Sequence, residues 1–113
     1  MPASLSIVER VRSQITSDLS WTARAPTTED TWLRVRNDVA NYLIVLWRNG
    51  ELMGERSDQA FYVKCGLQTT MTQLDVAEGR LIVEVGFAPV KPAEFIVFRI
   101  EQLQRRRRRP FRR

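Results

Sequence analysis

A chain of 113 residues supplies one domain with a single modest core, and its 43% hydrophobic and 27% charged fractions are those of an ordinary globular protein. No apolar run approaches the ~20 residues that a membrane-spanning helix requires, and the opening Met1, Pro2, Ala3, Ser4, Leu5 and Ser6 lack the basic and apolar regions of a signal peptide. The one cysteine, Cys65, cannot close an intramolecular disulfide, which suits a reducing cytoplasm.

The net charge of +5 is unevenly placed. Seven of the eighteen basic residues are Arg105, Arg106, Arg107, Arg108, Arg109, Arg112 and Arg113, and without them the body carries a net −2. A run of like charges repels itself and buries no apolar surface, so residues 104–113 are expected to be a disordered tail.

Ser6 followed by Glu9 has the spacing of a capping box, in which each side chain satisfies a free backbone donor. Behind it Ile7, Val11, Ile15 and Leu19 recur every fourth residue beside Val8, predicting a helix over 7–19 with one apolar stripe. Residues 22–28 contain Pro26 and no periodicity, and are expected to form a loop. Thr27 and Thr28, with Glu29 and Asp30, then open a second helix, since acidic residues suit the positive end of a helix dipole. Trp32, Val35, Val39, Tyr42, Leu43 and Leu46 form its main apolar face. Leu33, Ile44, Val45 and Trp47 widen that face, which predicts burial on more than one side. Arg48, Asn49 and Gly50 form the stop, a cation at the negative end followed by a glycine cap.

The period then changes. Phe61, Val63 and Cys65 alternate with Tyr62 and Lys64, predicting a short strand, and Ala77, Glu78 and Gly79 suggest a turn. Leu81, Val83, Val85 and Phe87 alternate with Arg80, Ile82, Glu84 and Gly86 in a clear second strand. Pro89 and Pro92 bracket a stiff extended link, because proline fixes φ and lacks a ladder donor. The final run, Glu94, Phe95, Ile96, Val97, Phe98, Arg99 and Ile100, is apolar on both faces apart from its charges, and such a strand wants burial on both sides. It has two outcomes: a third strand folded back into its own sheet, or a strand added to a neighbour's sheet. The expected fold is α+β, two N-terminal helices packed on a small β-sheet with a C-terminal strand arm.

Catalysis finds little support. Without histidine the commonest general base and metal ligand is missing, and one cysteine cannot fill a zinc site. Cys65 shares a strand face with Phe61 and Val63, which marks it as core rather than nucleophile. Glu29 and Asp30 are explained by the start of a helix, and Gly50, Gly54 and Gly79 by a cap and turns rather than a phosphate loop. No catalytic residue, metal or cofactor is expected.

Three stretches carry a family resemblance. Residues 32–36 and 46–54 resemble the second C-terminal helix of contractile tail sheath proteins and its following turn, and 60–65 resemble their central strand. Residues 79–100, GRLIVEVGFAPVKPAEFIVFRI, are the strongest match. The similarity spans roughly residues 5–102. It implies a structural module of phage tails, tailocins and extracellular injection systems, stacked around a tube, assembled in the cytoplasm and then part of the particle. It also implies that the arm, 92–102 of a domain spanning 1–103, inserts into the sheet of a neighbouring subunit, making Phe95, Ile96, Val97, Phe98, Arg99 and Ile100 the interface strand. The implied partners are other sheath subunits and a tube protein, with no membrane partner.

Departures from the pattern are definite. Family members carry several hundred residues before this domain, including an N-terminal arm that completes the interlocked sheet. Where they have an apolar–acidic–Pro-Asn-Asp sequence before the second helix, this chain has Arg24, Ala25, Pro26, Thr27 and Thr28. The arginine tail is also foreign to the family, so the chain is expected to be an excised domain or a small stand-alone relative. The alternative function is a small protein binding nucleic acid, or an acidic protein surface, through its seven tail arginines with Phe111 to stack. Deleting residues 105–113 is predicted to leave the circular dichroism spectrum and melting temperature unchanged while abolishing retention on heparin. Retention that survives the deletion would move polyanion binding to the body.

Overall fold

A computed structural model of the chain describes residues 6–91 and 93–104. The fold is α+β, with two main helices laid on one face of a three-stranded antiparallel sheet. Helix α1 runs Ile7–Asp18, its start capped by the Ser6 hydroxyl, which accepts from the Glu9 N–H at 3.2 Å. The expected loop after it begins with a 3-10 turn, Ser20–Arg24, closed where the buried Thr22 hydroxyl donates to the Leu19 carbonyl at 2.7 Å. Helix α2 spans Glu29–Arg48 and stops at Asn49, followed by Gly50 at φ +84°, a left-handed conformation that glycine adopts without penalty.

Two short helices escaped the periodicity, α3 (Ser57–Ala60) and α4 (Gln73–Ala77), both too brief to display a repeat. Strand β1 is Phe61–Lys64, β2 is Arg80–Phe87 and β3 is Ile96–Leu103, in the order β1-β2-β3. The β1–β2 register sets Val63 against Val85, and the β2–β3 register sets Val83 against Ile100 and Val85 against Phe98.

Alternation decides the layers. Leu81, Val83, Val85 and Phe87 are buried on the helix side of β2, joined by Phe98 and Ile100 of β3. From the helices, Val11 and Ile15 of α1 and Trp32, Val35, Val39, Leu43 and Leu46 of α2 complete one continuous core. Phe87 and Phe98 meet edge-to-face at 6.0 Å. Burial of α2 on more than one side, expected from its wide apolar surface, is partial: Trp47 packs against the core and Ile44 is half-buried, but Leu33 and Val45 are 46% and 53% exposed. Among the described residues the sheet, α1 and α3 pack on that helix and leave Leu33 and Val45 largely exposed.

The terminal strand differs from its expectation in two ways. It runs two to three residues later than 94–100, and only one of its faces is buried, with Val97 and Leu103 51% and 69% exposed. In the single chain it is the folded-back third strand. Gln104, assigned by sequence to the tail, is packed at 6% exposure.

Leu43 is fully buried at the centre of the core. Leu43→Ala is predicted to cost ~2–5 kcal/mol, a large share of the ~5–15 kcal/mol available to a domain. A thermal midpoint equal to the parent's would contradict this assignment of the buried face.

Candidate subunit interface

The six residues expected to form an interface strand are divided by the structure. Phe98 and Ile100 point into the core at 7% and 5% exposure, and Ile96 is half-buried beside them. Val97 and Arg99 face outward, while Phe95 precedes the strand and is 51% exposed. The seven tail arginines lie outside the described residues.

Which edge each backbone group serves follows from one bond. Gln104 N–H donates to the Gly79 carbonyl at 2.6 Å, and antiparallel pairs alternate between bonded and non-bonded. In the observed register the bonded pairs are therefore Leu81 with Gln102, Val83 with Ile100, Val85 with Phe98 and Phe87 with Ile96. Val97, Arg99, Glu101 and Leu103 turn their N–H and C=O groups away from β2 to an outer edge. The Arg12 guanidinium donates to the Arg99 carbonyl on that edge at 3.3 Å and lies 4.5 Å over the Phe98 ring. Its charge blunts the edge without closing it.

The open face of the sheet has its own network. Tyr62 of β1 lays its ring across Gly86 of β2, where any Cβ would overlap the ring. The ring stacks on Phe95 with centroids 5.9 Å apart and planes 21° from parallel. Its hydroxyl donates to Glu84 at 2.7 Å, and Arg99 donates to the other Glu84 oxygen at 2.9 Å. The tyrosine hydroxyl first, and Arg99 second, hold the Glu84 carboxyl below its ordinary range, while the same bond raises Tyr62.

At the other end of β3 the Gln104 amide donates to the carbonyls of Thr22, Ala25 and Pro26 at 3.4, 3.0 and 3.4 Å. These carbonyls close the 3-10 turn and the loop behind it, so one amide ties the strand's end to the helical layer. The sequence reading missed this residue because the arginine run beside it dominates the composition. Tyr62 on Gly86 was missed as well, although glycine in a strand is a sign of close approach by another group.

Cys65 is 2% exposed, and burial pushes its thiol up to about 12, so it has none of the thiolate character that reactivity needs. Among the described residues no three His, Cys, Asp or Glu side chains cluster to hold a metal ion.

A helical layer over a β1-β2-β3 sheet, ending in a strand with a free outer edge, can be set against known proteins. The model of the phage tail sheath C-terminal domain family matches residues 5–102. This chain belongs to that family. Among solved structures, one chain of the anti-feeding prophage baseplate matches at a TM-score of 0.72 and 35% identity, over 85% of this chain and 27% of the other. A chain of the contracted PVC sheath complex, an extracellular contractile injection system, matches at a TM-score of 0.72 and 39% identity, over 81% and 26%. The sheath domain thus spans about a quarter of the length of these relatives. No curated protein matches it. The family is a structural one, of sheath subunits rather than enzymes. No helix among the described residues is long and apolar enough to cross a membrane.

A depressed carboxyl contributes stability above its ordinary pKa and loses it as pH falls through the lower folded value. For Glu84 that loss lies below 4.5. Tyr62→Phe removes the larger cause, so its melting temperature is predicted to fall less steeply than the parent's on acidification through and below 4.5. Parallel curves for the two proteins would show that the Tyr62–Glu84 bond does not couple to folding.

Proposed function

We propose that this sheath domain is a structural, non-catalytic module of a contractile tail or injection particle, and that it joins subunits by giving β3 to a neighbour's β2. The observation that carries the reading is the way β3 is attached. Residues 88–90 are tied down, with Ala88 N–H on the Ala60 carbonyl, Met53 N–H on the Ala88 carbonyl and Val90 N–H on the Glu51 carbonyl. From Lys91 to β3 no such backbone bond occurs among the described residues, and Pro92 stiffens the stretch. The strand is thus a ladder on a short strap. Moved to a second copy, it remakes the same backbone bonds and returns Phe98 and Ile100 to the same core, which is why strand exchange is a low-cost route to association.

What exchange adds is linkage. Each well-buried side chain of this size contributes ~1.5–3 kcal/mol before ordering and association costs are subtracted. In a particle, where neighbours are held close, the association term shrinks because the second contact is effectively intramolecular. A subunit so linked can turn as a rigid body without losing its neighbour. The partners on this reading are other sheath subunits, and a tube lies within the ring they form.

The test is solution mass by light scattering across concentration, followed by co-assembly with a full-length sheath protein. The parent is expected to grow in mass and to be incorporated. Ile100→Pro removes a donor facing β2 and should do neither, whereas Val97→Pro removes only an outward donor and should still exchange. A Gly-Ser stretch inserted after Lys91 relieves the strap and should shift the parent toward monomer. A parent that stays monomeric at every concentration and is left out of the sheath would refute strand donation.

A further inference from the structure

We infer that the two ends of β3 form a register gauge, with the Tyr62 ring on Gly86 seating Phe95 and the carbonyls of Thr22, Ala25 and Pro26 seating Gln104. Between subunits this inference rests on the strand-exchange reading; within one chain it stands alone. A strand received from another copy must be accepted in one register, because a one-residue slip turns every side chain to the wrong face. Two-residue slips keep the faces and are the real competitors.

The two such slips differ in how the sequence resists them. Sliding β3 so that Leu103 takes the place of Glu101 puts Gln102 into the buried place of Ile100, and the core refuses an unpartnered amide there. Sliding it the other way is more dangerous. Phe98 then takes the place of Ile100 and Ile96 that of Phe98, so those two buried places stay apolar, while Glu94 comes to the half-buried place of Ile96. Gln102 takes the place of Gln104, so the carbonyl seat still receives an amide. Along the strand this slip gives up the Arg99–Glu84 and Gln102–Thr16 bonds, and at its start Ala93 replaces Phe95 on the Tyr62 ring. The repeated amide at Gln102 and Gln104 leaves one seat ambiguous, and the aromatic seat adds to the contacts that resolve it. Gly86 belongs to the device, since its missing side chain lets the ring lie flat across β2.

The register can be read by disulfide trapping in the full chain. Ile82 faces Glu101 in a non-bonded antiparallel pair, with Cα atoms about 4.5 Å apart, within disulfide reach. Ile82→Cys with Glu101→Cys therefore reports the native register, and Ile82→Cys with Arg99→Cys reports the dangerous slip. Arg99→Cys also removes the Arg99–Glu84 bond, so each ratio is read against the parent background carrying the same cysteines. In the parent background the native pair should dominate under a thiol–disulfide buffer. Gln104→Leu should raise the slipped-to-native ratio roughly fivefold or more, the population change that one hydrogen bond of ordinary net worth supports, because only the slip then puts an amide in the seat. Phe95→Ala, at an exposed position that folding tolerates, should raise it too. Adding Gln102→Leu to Gln104→Leu takes the amide from the slipped seat but also removes the native Gln102–Thr16 bond, so it should bring the ratio only part of the way back.

Ratios that do not move in Phe95→Ala and Gln104→Leu would overturn the gauge and leave the register to the other contacts of the strand. The mass of the cross-linked species separates this from strand exchange. Intramolecular bridges at every concentration refute exchange, while the ratio still decides the gauge.

Discussion

The structure depends on β2 being paired on both sides and covered on one face. Leu81, Val83, Val85 and Phe87 rest under α1 and α2, while the backbone bonds outward to β1 and to β3. β1 is four residues long and cannot shield that strand alone. A ladder left open along β2 would expose unpaired N–H and C=O groups beside the core, each costly when buried without a partner. Some strand must occupy the β3 position for the domain to be stable. Physical chemistry demands the strand but is indifferent to which chain supplies it.

That indifference links fold to function. The same contacts would close the core whether β3 arrived from its own chain or from a neighbour, and on the strand-exchange proposal the strap after Val90 would allow either geometry. In a single chain the short route is taken, as loop closure over a few residues costs less than association. On the strand-exchange proposal a crowded ring would change the balance, since neighbours would already be in place. Leu33 and Val45 of α2 are exposed among the described residues.

Most of the architecture was legible in the sequence. The stripe at Ile7, Val11, Ile15 and Leu19, the acidic start and glycine stop of α2, and the alternation from Arg80 to Phe87 each follow from one local rule, and each is where the pattern puts it. The short helices α3 and α4 were illegible because four or five residues show no period. The two-faced reading of β3 failed for a different reason. Phe95 and Val97 are apolar yet serve the open face, one stacked on Tyr62 and the other exposed, and hydrophobicity alone does not separate core from an uncovered sheet face. Gln104 was hidden by composition, being a polar residue beside five arginines whose role lies in three distant carbonyls. Only tertiary structure brings those together.

The direct measurement of the central claim is a contact map across copies in the assembled state. One batch of chain labelled with one isotope and a second batch labelled with another would be mixed, co-assembled with a full-length sheath, and studied by solid-state NMR for contacts between differently labelled chains. Strand exchange predicts cross-label contacts between Val83 and Ile100 and between Val85 and Phe98, at the register seen within one chain. Contacts for these pairs confined to a single label, in particles that have demonstrably incorporated the chain, would contradict it.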